Sequence, residues 1–476
     1  MTITNFFSNR NGMQMTIKIF VLAFLTLLML FPHFMILELV KEREHLNGEV
    51  NDEVARSWAR DQLISGPFLT IPFLKEEVSD HNHFVKKQFI TILPDNLRIN
   101  GQIQTITRSR SLYDVLLYES DLQVTGSFAA YTPEIDIHPE SILWNEATLT
   151  LGISDPRGIK EQVIATIYST KIRFLPGTDG IAIEASPPEF NSILSGSFQR
   201  IFGAEKITET GLHLNLSSAM PKNGFAFSIP LKLKGSRGLY FSPTATNCSI
   251  TLSSGFENPS FAGAFLPEHR IGKDGFQAQW NILEYNKSFA NRFPGNRVNI
   301  GNSLFGVNIQ SPISYYTMTY RACKYMILFI IVMFLAIFIT EVTQKVRIHV
   351  FQYSLTALSL VIFFALLLSL SEFTGFNIAY VVSYIAVGTM IYLYSRTIFN
   401  AKKSAFLLTT LATIFYVCIF LIIHLEKTAL LFGALMLFAL LAATMFLTRR
   451  IRWYEDHNDK KDTFSSTPSE NESIVF

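Results

Sequence analysis

The chain returns to strongly apolar sequence at residues 315–341, after a long polar region. Residues 325–340 carry no charge, while Arg321 and Lys324 stand at one end of this run and Glu341 at the other. The hydrocarbon core of a bilayer needs about 20 apolar residues in a spanning helix. We therefore expect the helix to begin several residues before the charge-free run, with its tyrosines at the interface. This feature predicts a membrane protein whose earlier residues form a domain outside the bilayer.

Apolar runs of spanning length predict six transmembrane helices, at about 17–37, 318–340, 351–371, 376–395, 404–423 and 428–448. The first run follows Arg10 and Lys18 and is not followed by a small-x-small cleavage site, which is typical of an uncleaved signal anchor. Pro32 is expected to kink this helix. The last five runs predict a helix bundle over 316–448.

The basic residues of the short loops predict the orientation. If the second span runs from outside to inside, eight loop lysines and arginines fall on the cytoplasmic side and one falls outside, as positive-inside bias requires. We expect the N-terminus, residues 1–16, and a polar, disordered tail, residues 449–476, to be cytoplasmic. The large domain between the first two spans is then periplasmic.

Residues 38–64 predict an amphipathic juxtamembrane helix, because Leu46, Val50, Val54 and Trp58 recur every four residues. Gly66 and Pro67 are expected to stop it.

The following region, 65–315, consists of short alternating or β-branched runs separated by turn residues. It predicts an antiparallel, sandwich-like domain of one lobe or two, with a local helix at 189–202. The predicted fold class is a multi-pass α-helical membrane protein of six spans with a large inserted all-β periplasmic domain.

Composition supports a membrane protein and offers few partners. The chain has 476 residues, of which 49% are hydrophobic, and a mean hydropathy of +0.27. Its net charge of +2 provides no basic field, so nucleic acid is not an expected partner. Of three cysteines, Cys248 alone lies in the region predicted to be exported. That domain therefore closes no internal disulfide and must be held together by packing.

Local signatures of hydrolases, zinc proteases and nucleotide-binding loops are absent from the sequence. Glu42-x-x-His45 has the spacing of half a carboxylate metal site but no second half, and His81 with His83 has no third ligand nearby. We interpret both as solvated polar positions and predict no catalytic residue, metal or cofactor. The charged residues of the bundle lie at helix ends, where they anchor depth or form a contact site at the membrane face.

Several short groups of residues, here called blocks, follow one another in a characteristic order along the chain. They are Trp58, Gln62, Gly66 and Pro67 at the helix-to-strand boundary; Asp155, Arg157, Gly158, Pro259, Phe261, Gly263, Pro267, Gly275, Phe276 and Trp280 in the β region; Arg321, Lys324, Tyr325 and Glu341 at membrane re-entry; and His349, Gln352, Tyr353 and Glu372 beyond it. In order and spacing these blocks resemble the CreD family of inner membrane proteins, also called cell envelope integrity proteins. The chain departs from that pattern at Gly255, Met333, Val350 and Phe373.

The resemblance implies an envelope-integrity protein connected with the response to cell-wall-acting antibiotics and with control by a two-component system. It supplies no catalytic activity and no role for the individual block residues. Glycine and proline in the blocks need no chemistry to explain them, because glycine permits positive φ and proline fixes turns.

We therefore predict a non-enzymatic, partner-binding or scaffolding protein of the inner membrane, in contact with the lipid bilayer and with envelope proteins or lipids. One alternative is a component of lipid or peptide export. A third interpretation is a membrane enzyme acting on envelope lipids or cell-wall precursors. That enzyme would require Glu341, Glu372 or Glu426 to converge with histidines at one membrane face. The sequence leaves the oligomeric state open.

Overall fold

The computed structural model describes residues 10–79, 82–110, 113–132, 138–179, 181–184, 210–217, 219–309, 314–344, 346–398, 402–425 and 428–449. The chain divides into two compact units. The helical unit comprises Met1–His45 and Ser314–Phe476, and the β unit comprises Leu46–Ile313.

The described helices are α1 (Arg10–Leu28), α2 (Leu30–Trp58), α3 (Ala219–Asn223), α4 (Tyr315–Cys323), α5 (Met326–Gln344), α6 (Val350–Thr374), α7 (Phe376–Ile398), α8 (Lys402–His424) and α9 (Ala429–Thr448). The described strands are β1 (Gln62–Ser79), β2 (Asn82–Ile92), β3 (Asn96–Arg110), β4 (Tyr113–Phe128), β5 (Thr148–Ile153), β6 (Ile164–Ile167), β7 (Thr170–Arg173), β8 (Leu175–Pro176), β9 (Ala182–Glu184), β10 (Gly211–Asn215), β11 (Phe225–Ser236), β12 (Gly238–Phe241), β13 (Asn247–Ser254), β14 (Ser260–Gly263), β15 (Glu268–Gly272), β16 (Gly275–Leu283), β17 (Arg292–Pro294), β18 (Arg297–Asn299) and β19 (Phe305–Asn308).

Two large sheets form the β unit. One has nine strands, with the path β14-β19-β12-β1-β5-β10-β8 and with β2 joining β1 to β17. The other has eight strands in the order β15-β16-β13-β3-β4-β11-β6-β7. Strand β1 is paired with β2, β5 and β12, so it lies at the centre of the nine-stranded sheet.

The two sheets share one hydrophobic core. Strands β11, β13 and β16 alternate buried apolar residues with exposed or half-exposed polar ones, as the two-residue period of a half-buried strand requires. The inward residues of both sheets, such as Leu149, Ile229 and Ile250, belong to a single buried cluster. The predicted sandwich is therefore confirmed, and it is one lobe.

Among the described strands, three pairs are parallel: β1 with β12, β3 with β13, and β9 with β18. A purely antiparallel domain was the wrong expectation in these places. The partners are far apart in the chain, for example Asn96 opposite Asn247. No hairpin turn fixes their direction, so local sequence patterns carry no signal for it.

Within the described residues, six helices are long and apolar enough to cross a membrane, one near the N-terminus and five after the β unit. The predicted multi-pass fold with an inserted β domain is therefore confirmed. The helix at re-entry is divided, however. Helix α4 ends at Cys323 and α5 begins at Met326, and at this joint the Tyr325 amide donates to the Ala322 carbonyl in a tightened turn.

Aromatic packing holds the helical unit together around α6. Phe363 contacts Tyr380 of α7 and Tyr416 of α8, with ring centroids 5.2 and 4.4 Å away. Phe329 of α5 stacks on Phe415 at 4.5 Å. Helix α9 differs from the others, because none of its apolar stretch 429–446 is buried.

The N-terminal helices break at Met29, between α1 and α2. Pro32 has no amide hydrogen to donate to the Leu28 carbonyl, which explains the break and agrees with the predicted kink. The predicted stop at Gly66 and Pro67 was wrong. Helix α2 ends at Trp58, and the Gly66–Pro67 pair lies inside β1, where the pairing with β5 shifts register between Ser65 and Phe68. The predicted helix at 189–202 and the terminal segment beyond 449 lie outside the described residues.

Gly275 begins β16 with φ +106°, and a Cβ there would lie 1.9 Å from the Ser254 carbonyl oxygen. We expect Gly275→Ala to lower the free energy of unfolding by about 2–4 kcal/mol, because both the backbone angle and the contact are unfavourable. Gly272, at the other side of the same turn, has open space around its Cβ position. Denaturant titration of the full chain in detergent checks this. Equal effects of Gly275→Ala and Gly272→Ala would contradict it.

Candidate functional site

Residues from three segments that are distant in the sequence meet where helix α2 gives way to strand β1. Trp58 ends the helix, Asp61 and Gln62 lead into the strand, Asp155 and Arg157 lie in the turn after β5, and Arg237 joins β11 to β12. We refer to these six residues as the junction cluster. Four of them, Trp58, Gln62, Asp155 and Arg157, are block residues of the sequence.

Asp155 and Arg157 form a bidentate ion pair. Arg157 donates from Nε to Oδ1 at 2.8 Å and from Nη2 to Oδ2 at 2.7 Å. The Arg60 amide also donates to Asp155 Oδ2 at 3.0 Å, and Arg157 Nη1 donates to the Arg56 carbonyl at 2.9 Å. Burial alone would raise the pKa of Asp155, but the hydrogen bonds and charge of Arg157, with the Arg60 amide, hold it below its ordinary value. The pair thus fastens the end of α2 to the turn after β5.

Gln62 connects the same turn to β11. Its side chain is fully buried and donates from Nε2 to the carbonyls of Asp155 and Lys234, at 3.1 and 3.0 Å. Gly158 lies against this amide, and a Cβ at that position would come within 2.4 Å of Gln62 Nε2. A block glycine is therefore required here for close approach of two segments.

Two cations lie within cation–π distance of the Trp58 ring. Lys234 Nζ is 4.3 Å from the ring centroid and the Arg108 guanidinium is 5.6 Å from it. Cation–π attraction of this kind contributes about 0.5–1 kcal/mol at a partly exposed ring. The contact attaches the last turn of α2 to strands β3 and β11.

Asp61 is the exceptional member of the junction cluster. It is 4% exposed, and neither carboxylate oxygen has a hydrogen-bond partner of ordinary geometry among the described residues. Arg237 Nε lies 4.0 Å from Oδ2, while Arg237 Nη2 pairs with Asp52 at 2.8 Å. Burial raises the pKa of Asp61 to about 7, although Arg237 and the nearby amides of Gly238 and Asp61 act to lower it. The carboxyl group therefore gains its proton near neutral pH.

A second group of block residues packs against one another inside the β unit. Phe261 contacts the rings of Phe276 and Trp280 edge to face, both at 5.8 Å. Trp280 is fully buried and donates from its indole nitrogen to the Phe265 carbonyl at 3.1 Å. These aromatic residues cover one end of the shared core, and Gly263 and Gly275 let the chain pass close to its neighbours there.

A third group lies in the helical unit, where α5 ends and α6 begins. Glu341 accepts hydrogen bonds from Lys18 Nζ and the Ile348 amide on one oxygen and from the Tyr353 hydroxyl, at 2.7 Å, on the other. Lys18 Nζ also donates to the Ile348 carbonyl at 2.9 Å. We refer to Lys18, Glu341 and Tyr353 as the Glu341 network. It joins the first helix to the re-entry hairpin.

His349 and Gln352 act as the cap of α6. The His349 ring accepts from the Phe351 amide at 3.2 Å, and Gln352 Oε1 accepts from the His349 amide at 3.1 Å. The two side chains satisfy amides that a helix start leaves without intrahelical partners. Their role in this structure is to begin the helix that presents Tyr353.

Glu372 lies at the opposite end of α6, where it accepts a hydrogen bond from the Tyr316 hydroxyl at 3.1 Å. Nineteen residues separate it from Tyr353, or about 28 Å along a helix. Lys324, which follows the end of α4, lies 4.8 Å from the Tyr320 ring. Glu341 and Glu372 therefore do not converge, and Glu426 lies outside the described residues.

Metal-binding chemistry finds no support in the part of the chain that the structure describes. No three His, Cys, Asp or Glu side chains within it are grouped so as to hold a metal ion. His81 lies outside the described residues.

The remaining block residues lie at turns and strand ends. Arg321 and Tyr325 lie at the re-entry turn, and the Gly66 carbonyl accepts a hydrogen bond from the Thr244 hydroxyl at 2.8 Å. Pro259 precedes strand β14, and Pro267 precedes strand β15.

The family model described as Inner membrane protein CreD matches residues 14–454. The chain belongs to the CreD family. Inner membrane protein CreD of Escherichia coli (strain K12) is 29% identical over 436 residues, which are 90% of this chain and 91% of that relative. The CreD match thus spans both units, including the junction cluster and the Glu341 network.

Sequence reasoning missed Asp61 and Arg237 and gave Lys18 only the role of a flanking charge. Asp61 and Arg237 are 176 positions apart in the sequence, and Lys18 and Glu341 are 323 apart. No local pattern signals such pairs. Lys18 offers a usable signal, because it is an ionisable residue directly before a strongly apolar run, whereas Asp61 lies between Arg60 and Gln62 and offers none.

We expect Asp61→Asn to change the pH dependence of stability. The raised pKa of Asp61 means that the folded state binds the carboxyl proton more tightly than the unfolded state does. The contribution of Asp61 to the free energy of unfolding therefore falls as pH rises from about 4 to about 7. Asparagine stays neutral. From pH 5 to pH 8 the variant should therefore gain roughly 2 kcal/mol relative to the parent.

Thermal unfolding midpoints of the full chain in detergent, measured at both pH values, check this expectation. Asp121→Asn, at an exposed carboxylate of β4, is the control and should leave the pH profile unchanged. Parallel profiles for parent and Asp61→Asn would show that the group is ionised throughout.

The Glu341 network predicts strong coupling between Lys18 and Glu341. In a double-mutant cycle with Lys18→Met and Glu341→Gln, we expect an interaction free energy of at least about 1 kcal/mol, because the pair is largely removed from solvent. Lys324→Met combined with Glu341→Gln is the matched control. Lys324 lies just before the start of α5, whereas Glu341 lies near its end, so the effects of these two substitutions should add. Thermal stability in detergent is the measurement. Additive effects in both cycles would exclude the coupling.

Proposed function

We propose that this protein is an inner-membrane component of the cell envelope that supports envelope integrity by binding partners through an exported β unit, without catalysing a reaction. The location follows the name of the family and of its Escherichia coli relative. In this proposal the β unit is periplasmic and both termini are cytoplasmic, as the distribution of loop lysines and arginines favours.

One observation supports a non-enzymatic role above the alternatives. The block residues act as joints of the architecture: Asp155 and Arg157 fasten a helix end, Phe261 and Trp280 close the core, and Glu341 ties helices together. The hydrogen-bonding groups of Asp155, Arg157, Trp280 and Glu341 are directed at other parts of the chain. These residues maintain the fold, so a partner would contact the surfaces that they support.

An export component is the second candidate, and one feature of the helical unit favours it. Helices α8 and α9 enclose an apolar groove of about 400 Å³, lined by side chains that include Phe415, Cys418, Phe432 and Met436. A groove of this composition accepts an acyl chain.

The enzyme alternative is weaker. Glu341 contacts Tyr353 near the start of α6, whereas Glu372 lies near the end of that helix, so the two carboxylates do not share one site.

Site-specific photocrosslinking in intact cells tests the proposal. A photoreactive residue at Gln279, which is exposed on β16, should capture identified envelope proteins or envelope polymers, whereas one at Leu435 in the apolar groove should capture bilayer lipid alone. Capture of a partner ATPase together with transported lipid would favour export. A chemically converted lipid or precursor would favour the enzyme.

Accessibility to a membrane-impermeant thiol reagent provides the control for location. In a Cys418→Ser background, Lys273→Cys in the turn before β16 should be labelled once the outer barrier is permeable, and Lys403→Cys at the start of α8 should require cell lysis. The reverse pattern would overturn the proposed location, and with it the role of the β unit.

A further inference from the structure

Arg237 faces two carboxylates of the β unit and forms a close ion pair with one of them. Its Nη2 pairs with Asp52 of α2 at 2.8 Å, whereas its Nε lies 4.0 Å from Asp61 Oδ2. Nε is buried without a hydrogen-bond partner among the described residues, and so are both carboxylate oxygens of Asp61. A buried donor and a buried acceptor therefore lie about 1 Å beyond the length of an ordinary hydrogen bond from each other.

The neighbouring ion pair shows how an arginine satisfies a carboxylate at this junction. Arg157 holds both oxygens of Asp155 with Nε and Nη2, the two nitrogens along one edge of the guanidinium group. Arg237 has the same edge nearest its two carboxylates, with Nη2 on Asp52 and Nε nearest Asp61. To hold Asp61 in the bidentate way, Nη2 must therefore release Asp52.

The backbone of Arg237 is fixed, so its side chain supplies any movement. Arg237 has φ +60°, a left-handed angle that is uncommon for a residue with a side chain. It lies between the paired strands β11 and β12, and its carbonyl accepts from the Ile309 amide at 2.6 Å. Such an angle persists because surrounding contacts enforce it. A shift of the guanidinium group toward Asp61 therefore lengthens its contact with Asp52.

The titratable side chains that act on Asp61 come from four places in the β unit. They are Asp52 of α2, Tyr118 of β4, Tyr240 of β12, and Arg237 between β11 and β12. Both tyrosine hydroxyls donate to other acceptors, and Asp52 repels a second negative charge. A buried carboxylate is costly when it is charged and unpaired. Of these groups, Arg237 is therefore the one that can stabilise the ionised form of Asp61.

We propose that Arg237 exchanges between the two carboxylates with pH, pairing with Asp52 while Asp61 is protonated and with Asp61 once it is ionised. The pKa of Asp61, raised by burial to about 7, places this exchange near neutral pH. Below that pH, Arg237 fastens α2 through Asp52. Above it, Asp52 loses its partner and the last turns of α2 are held less tightly. The inference goes beyond the proposed function, because it concerns how the β unit responds to the pH of its compartment.

Other contacts of α2 limit the exchange to one side of the helix. Arg157 Nη1 donates to the Arg56 carbonyl at 2.9 Å, and Glu53 pairs with Arg110 at 2.6 Å. Neither contact involves Arg237. The end of α2 therefore stays attached above neutral pH while its backbone opens more often. The expected change is in local opening of residues 46–58, without unfolding of the β unit.

Hydrogen exchange of the purified full chain in detergent, followed by mass spectrometry at pH 6 and pH 8, tests the inference. After correction for the intrinsic effect of pH, peptides from residues 46–58 should lose protection about two- to fivefold between pH 6 and pH 8, as expected for one partly exposed ion pair. Asp61→Asn cannot ionise, so it should keep at pH 8 the protection measured at pH 6. Asp52→Asn removes the contact that the exchange breaks, so protection should be low at both pH values.

Glu53→Gln is the matched control, because it removes the neighbouring carboxylate of the same helix from an ion pair that does not involve Arg237. It should lower the protection of residues 46–58 equally at both pH values and retain the further loss between pH 6 and pH 8. A purely structural weakening of α2 thus gives a different pattern from the exchange of Arg237.

Unchanged protection of residues 46–58 in the parent protein, or increased protection at pH 8, would overturn the inference. So would a loss at pH 8 that persists in either Asp61→Asn or Asp52→Asn, because another group would then be responsible. If Asp61→Asn does not fold, the comparison of Asp52→Asn with Glu53→Gln decides the question alone. The assay does not depend on the location of the β unit, so a reversed thiol-labelling pattern would remove the proposed function and leave the exchange measurable.

Discussion

The β unit depends on how strand β1 begins. This strand pairs with β2, β5 and β12 at the centre of its sheet, and its first residue, Gln62, follows the end of α2 by four positions. The side chain of Gln62 is buried where two carbonyls need donors, and its amide supplies both hydrogen bonds. An unsatisfied buried carbonyl costs about 1–3 kcal/mol. The strand is thereby fixed in one register, and the turn holding Asp155 and Arg157 is placed at its start.

Two buried carboxylates at this junction respond to pH in opposite senses. Asp155 has its pKa lowered by Arg157, so its contribution to stability is lost as pH falls. Asp61 has its pKa raised by burial, so its contribution is lost as pH rises. Arg237 cannot satisfy Asp61 fully, because its Nη2 is engaged by Asp52. The junction is consequently most stable at pH values between the two pKa values. Asp61, the carboxyl group with fewer hydrogen-bond partners, is the one whose charge changes near neutral pH.

The sequence predicts those parts of the fold that depend on local composition. Apolar length locates six spans, and alternation along strands such as β13 and β16 locates the sandwich. It fails where tertiary contacts overrule a local rule: glycine and proline at 66–67 suggest a helix stop, yet β1 passes through them. The junction cluster and the Glu341 network combine residues more than 90 positions apart. The block residues mark these places without showing which neighbours they meet.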